Sequence, residues 1–337
     1  MSWMDRVNTN ALDWLLEPSD PAVAYLTRRD LLDEPARSLT DLHKAAHQSN
    51  PIALILAKMD PQGFWVKPGP GYGPKYHSTV WSMISMAQMG ASIDQDERIQ
   101  TACRYVLDHA LKQGGHFSAS GAPSSTFDCL QGNLCWALTE LGCRDERLEM
   151  AFDWIVHSIT GEGVASNKEK KAAVRYYAYK CAPNFACGAN GGLPCAWGAL
   201  KVMRALGNLP VEKRTSLIRQ AIQMGIDFLL SVDPAQANYP TASGQHVSQN
   251  WWKFGFPVFY ISDMLEVAEV LVAVGAADDP RLANVVRLIR NKQDEQGRWN
   301  LEYNYAGKVW GNFGTIKKPN KWVTLRALRV LKKLPQE

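Results

Sequence analysis

The sequence predicts an all-α protein in which about six helix pairs close into a ring, an α/α toroid. Three observations predict it. Apolar helix-like runs recur that each end on a glycine, a second set of runs opens on an acidic residue, and glycine-aromatic turns follow the second set.

The first set comprises Thr79 to Gly90, Gln131 to Gly142, Ala196 to Gly207 and Ser262 to Gly275. Glycine belongs just past a helix C-terminus, where the chain turns left-handed. The second set opens with Asp96-Glu97-Arg98-Ile99, Asp145-Glu146-Arg147-Leu148 and Asp279-Pro280-Arg281-Leu282, with a degenerate copy at Glu212-Lys213-Arg214. An acid at the first position accepts the free N–H groups of a starting helix. The turns are Gly63-Phe64-Trp65, Gly115-His116-Phe117, Gly161-Glu162-Gly163-Val164 and Gly297-Arg298-Trp299, and a last helix runs from Trp322 to Leu334. The spacing is 49 residues from Arg98 to Arg147 and 67 from Arg147 to Arg214 and from Arg214 to Arg281, so loops absorb the difference. Residues 1–337 read as one toroid domain, with residues 1–20 a short N-terminal extension. An open helical solenoid is the alternative that the repeat alone leaves standing.

A net charge of +4, from 37 basic and 33 acidic residues, does not suggest a nucleic-acid binder. The apolar run Val258 to Ala277 contains Asp263, Glu266 and Glu269, which argues against a membrane span. Seven cysteines, an odd number, argue against a full disulfide framework, and the first residues lack the apolar stretch of a signal peptide. The expectation is a reduced, cytoplasmic protein. Cys103, Cys135 and Cys143 read as buried thiols.

Gln293-Asp294-Glu295-Gln296-Gly297-Arg298-Trp299 matches the Q-x3-G-x-W core of the Gln-Trp motif, and Met59 to Trp65 shares its ending. With the repeated helix pairs, the chain resembles the prenyltransferase and squalene-cyclase superfamily over residues 21–334. Lys321 to Leu331 and Trp251 to Pro257 are similar to a bacterial squalene-cyclase-like group. The resemblance implies inner and outer rings of helices around a central cavity that receives an isoprenoid. One departure is chemical: the D-x-D-D acid motif of class II cyclases is absent, and Lys75 to Trp81 stands in its place.

Superposing the inner helices on their closing glycines brings His77 level with Cys129, and sets Cys195 and Asp263 one residue from the same level. His77, Asp128, Cys129, Cys195 and Asp263 are therefore expected at one rim, with Cys187 from the Cys181-x5-Cys187-x7-Cys195 set. Histidine, thiolate and carboxylate are zinc ligands, and the superfamily's protein prenyltransferases use an Asp/Cys/His zinc site near that end. The expected metal ligands are His77, Asp128, Cys129, Cys187 and Cys195, and the expected catalytic groups are Asp128, Asp263 and His77. Buried thiols, and a helix-capping role for Asp128, are the plainer alternatives. Tyr76, Trp81, Trp251, Trp252, Phe254, Tyr303 and Trp310 are expected to contact an apolar substrate. Tyr176, Tyr177 and Tyr179, with Lys168, Lys170, Lys171, Arg175 and Lys180, extend that mouth toward a diphosphate. Three functions stay open: an enzyme acting on an isoprenoid or other apolar molecule, zinc-dependent or not; a non-catalytic lipid-binding or scaffold toroid; and a carbohydrate-active toroid drawing on Tyr303, His246 and Glu302.

Overall fold

A computed structural model describes Trp3, residues 9–164 and residues 181–335. The described residues form an all-α fold, with only isolated β-bridges between loops. Its inner helices are α2 (Pro21–Asp30), α5 (Thr79–Gln88), α7 (Asp128–Glu140), α9 (Ala196–Gly207), α11 (Met264–Ala273) and α13 (Lys321–Lys333). Outside them lie α1 (Thr9–Leu15), α3 (Thr40–Gln48), α4 (Ile52–Ala57), α6 (Glu97–His109), α8 (Arg147–Thr160), α10 (Ser216–Leu229) and α12 (Ala283–Asn291).

Packing of the inner set runs in a circle. Helix α5 packs on α7, α7 on α9, α9 on α11, α11 on α13 and α13 on α2. The circle closes where Leu26 and Tyr25 of α2 cover Gly90 at the end of α5. Composition explains the layering. All ten residues of α5 are buried, whereas α12 buries only Val285 and Ile289. A helix apolar all round belongs inside, and one with a narrow apolar stripe belongs outside.

The recurring sequence signals are bonds. In α6 and α8, and in the turn before α12, the acid takes the backbone N–H two residues on and clamps the arginine there: Asp96 with Arg98, Asp145 with Arg147, Asp279 with Arg281. The Gly-x-Trp turns repeat even more closely. Trp65 donates its indole N–H to Ile55 O and its backbone N–H to Thr79 Oγ1, at 2.7 and 3.1 Å. Trp299 does the same to Ile289 O and Thr324 Oγ1, at 2.7 and 3.0 Å. Each tryptophan ties the end of one outer helix to the first turn of the next inner one. The Gln-Trp-like motif is thus architectural.

The middle of the ring is filled by the chain itself. Val258 exchanges both backbone groups with the Gln88 amide, each at 2.8 Å, and Asn133 of α7 donates to Phe259 O at 3.4 Å. On the far side Phe256 stacks on Trp322 of α13 with ring centres 4.5 Å apart, and Arg326 donates to Gly255 O at 2.7 Å. Helices α7 and α13 stand three places apart in the six-helix circle, so residues 255–259 cross its interior. The central cavity expected from the sequence is occupied by this plug.

Two histidines lock α3 to the ring. His43 stacks on Tyr25 (ring centres 4.0 Å) and donates from Nε2 to Gly90 O, while His47 donates from Nδ1 to His43 O. His47 Nε2 must therefore be bare, because it accepts the Ser92 N–H at 3.0 Å. Burial pushes His43 down to about 4 and lowers His47 as well. The unfolded chain thus takes up protons first, and stability falls as pH drops from about 6.5 toward 4. After allowance for the partial exposure of His43, the loss is expected to be about 1–2 kcal/mol. Urea unfolding at pH 7 and pH 4.5 measures it; a His43→Leu/His47→Leu variant with an unchanged pH slope would remove this explanation.

Candidate active site

The N-terminal ends of α7 and α9 hold the chemically richest hollow, about 290 Å3, walled by Tyr72, Phe127, Trp197 and Tyr260 and by Asp128, Cys129, Cys187 and Cys195. Two glycines bring these helices together. A Cβ on Gly132 would lie 2.1 Å from the Lys201 carbonyl carbon, and one on Gly198 would lie 3.0 Å from Asp128 Cβ. The close crossing sets Asp128 directly against the α9 backbone.

Asp128 does not cap its helix; Phe127 holds the N-cap position, with no side-chain bond there. Its carboxyl is buried. Oδ1 accepts the Cys181 thiol at 2.9 Å, and Oδ2 has no hydrogen-bond partner among the described residues. Burial pushes its pKa up to about 7, against the pull of the Cys181 bond. A carboxylic acid that keeps its proton near neutrality is a competent general acid. Three of the surrounding thiols are raised as well. Burial pushes Cys129 up to about 12 and raises Cys181, and a hydrogen bond with Cys187 raises Cys195. At the rim, the Lys75 ammonium stands 4.3 Å from the Tyr260 ring centre and 5.7 Å from that of Tyr72.

Of the residues expected at the rim, the structure brings Asp128, Cys129, Cys187 and Cys195 to this hollow. His77 does not line it: its ring lies 4.3 Å from Trp310, which donates to His77 O at 2.9 Å. Asp263 is committed elsewhere. It caps α11 through Glu266 N at 2.7 Å, accepts Gly255 N, and is gripped by Arg326 at 2.9 and 3.0 Å. Both oxygens of this carboxylate are thus taken up by donors of the protein itself. The reason the glycine alignment misplaced both is local. The turn before α5 swings His77 toward Trp310, and the cap of α11 turns Asp263 inward to Arg326.

The donor set is right in kind for zinc, but among the described residues no three His, Cys, Asp or Glu side chains are arranged to hold a metal ion.

The expected aromatic contacts divide. Trp81 and Tyr76 pack with Phe259, Tyr260 and Tyr305 between the plug and the hollow. Trp251 and Phe254 are buried, and the Trp251 indole is bonded to Pro234 O. Tyr303 packs on Tyr305 and against Gly255, and Trp252 faces a separate groove. Glu302 is held by Lys292 and by Phe254 N. The tyrosines and basic residues expected between positions 168 and 180 lie outside the described residues. Sequence reading missed Phe127, Trp197 and Tyr260. Their signal was position: Phe127 precedes Asp128, Trp197 opens α9 two residues after Cys195, and Tyr260 stands three residues before Asp263.

No protein-family model matches the chain, and no curated protein matches it. Solved structures to which it is similar include a protein from Actinoplanes, at 12% identity over 86% of this chain and 99% of that one, with a TM-score of 0.30. They also include the type II terpene cyclase MstE from Scytonema in its apo form, at 11% identity over 86% of this chain and 98% of that one, with a TM-score of 0.36. Both likenesses are remote.

Proposed function

We propose that the chain is an enzyme that seats a small apolar molecule in the hollow between α7 and α9 and acts on it through the acid form of Asp128. The observation that carries this reading is the buried Asp128 carboxyl, with one oxygen unpartnered, in the wall of an aromatic-lined hollow. Proton transfer from Asp128 to a carbon–carbon double bond leaves a carboxylate and a carbocation. The faces of Tyr72, Trp197 and Tyr260 stabilise that cation, and return of a proton to Asp128 restores the acid as a new double bond forms. The volume of about 290 Å3 sits at the small end of ligand sites, which favours a short isoprenoid over a triterpene.

Asp128→Asn keeps the shape and removes the proton. Incubated with a panel of short isoprenoid alcohols and hydrocarbons and followed by gas chromatography, it is expected to lose at least about 100-fold in turnover. The wild-type rate should fall as pH rises through about 7, where Asp128 loses its proton. A variant as active as wild type, or a rate that rises across that range, would overturn the acid role. Elemental analysis of the same preparation reads zinc separately: about one ion per chain, lost on Cys129→Ser or Cys195→Ser, would add a thiolate metal to the hollow.

A second reading is a binding protein without chemistry. The absence of a D-x-D-D acid motif before α5, where Lys75 to Trp81 stands, favours it. Recovery of every panel compound bound but unaltered would select it.

A further inference from the structure

A larger hollow lies away from α7 and Asp128, in the loop between α10 and α11. It encloses about 660 Å3 and is lined in part by Asn238, Thr241, Gln245, His246, Gln249 and Trp252. Its walls are fixed. The Trp252 indole donates to Ala235 O at 2.8 Å, Tyr239 donates its hydroxyl to Leu229 O at 2.7 Å, and Thr241 Oγ1 bonds Gln245 O at 2.6 Å. From behind, Asn190 clamps the loop, donating to Pro240 O at 3.0 Å and accepting Ala242 N at 3.1 Å.

The chemistry of the lining is unusual for a surface groove. Among the described residues lining it there is no Asp, Glu, Lys or Arg, although 21% of the chain is charged. In their place stand three amides, two hydroxyls and an imidazole beside one half-buried indole, with His246 edge-on to Trp252 at 5.2 Å. Gln249 and His246 are exposed, and neither side chain makes a hydrogen bond among the described residues. An amide both donates and accepts, as does a sugar hydroxyl, so amides pair with neighbouring hydroxyls without the desolvation cost of a charge. An indole that cannot rotate offers a flat apolar face to the C–H side of a pyranose ring.

We infer that this groove binds an uncharged saccharide, with Trp252 as the stacking platform and Gln249, Gln245 and Asn238 as the hydroxyl partners. It binds without cleaving, since glycoside hydrolysis needs two carboxylates and the groove lining has none. The site is independent of the Asp128 hollow.

Calorimetric titration of the whole protein with maltotetraose, cellotetraose and tetra-N-acetylchitotetraose tests it, with tetragalacturonate as the charged comparator. At least one neutral tetrasaccharide is expected to bind with a Kd on the order of 1 mM or tighter. Trp252→Ala should weaken it at least about tenfold and Gln249→Ala roughly threefold to tenfold, which corresponds to about 0.7–1.4 kcal/mol. Gln249 is exposed, so its variant reads the site even if Trp252→Ala fails to fold. Overturning results are no heat from any neutral sugar at about 20 mM, where a site of about 1 mM would be nearly saturated; tetragalacturonate as the tightest ligand; or affinity unchanged in Gln249→Ala.

Discussion

Lys201→Met is expected to cost the fold about 3–5 kcal/mol, because it leaves a buried carboxylate without its main counter-charge. The Lys201 ammonium of α9 and the Glu266 carboxylate of α11 meet at 2.5 Å with side chains 0% and 1% exposed. Burial drives the lysine pKa down, Glu266 opposes that drift, and the Arg204 charge adds to it. Among the described residues, only Arg204, at 3.6 Å, remains to answer Glu266 once Lys201 is gone. Urea unfolding of the variant measures the loss. The double variant Lys201→Met/Glu266→Met should recover much of it, since two apolar side chains of similar size remove the unpaired charge altogether. A single variant within about 1 kcal/mol of wild type would show that the pair is not isolated from water.

Gly132→Ala is expected to be nearly as damaging, at about 3 kcal/mol or more, by forcing α7 and α9 apart. The added Cβ would stand 2.1, 2.2 and 2.3 Å from Lys201 C, Lys201 O and Val202 N. These are backbone atoms of an intact helix and cannot step aside. Gly225→Ala is the informative comparison, because there the added carbon meets Met203 Sδ at 2.0 Å. A methionine side chain can swing away, so the cost should be smaller. Thermal unfolding of both variants tests the ranking. Equal losses would mean that the α7–α9 crossing relaxes as readily as a side chain does. Separation of these helices also shifts Asp128 from its place beside Gly198, so Gly132→Ala should lower turnover of any panel substrate more than its stability loss explains.

The ring was legible because its signals are short-range. The Asp-x-Arg start of α6 and the Gly-x-Trp turns at Trp65 and Trp299 are made by residues close in sequence or by adjacent helices, so a repeat in letters becomes a repeat in bonds. Inner helix positions followed from continuous apolar runs, with α9 at Ala196–Gly207 as expected and α7 starting at Asp128, three residues before the expected Gln131. What lay hidden were the long-range choices of the loops. Nothing local to Phe256-Pro257-Val258-Phe259 says that Gln88, some 170 positions away, will take its backbone. Nor does the spacing of Asp263 reveal Arg326, 63 positions on, as the partner that ties it to α13. Asp128 and Cys195 met as expected because each begins an inner helix, and those beginnings share one end of the ring.

Closure of the circle by α13 against α2 also sets an order of events during synthesis. About 290 residues separate the end of α2 at Asp30 from the start of α13 at Lys321. At roughly 5–20 residues per second, a ribosome spends about 15 to 60 s between them. Until α13 is made, the flanks of α2 and α11 that it covers lack their partner helix, and that bare apolar surface is what a chaperone would meet.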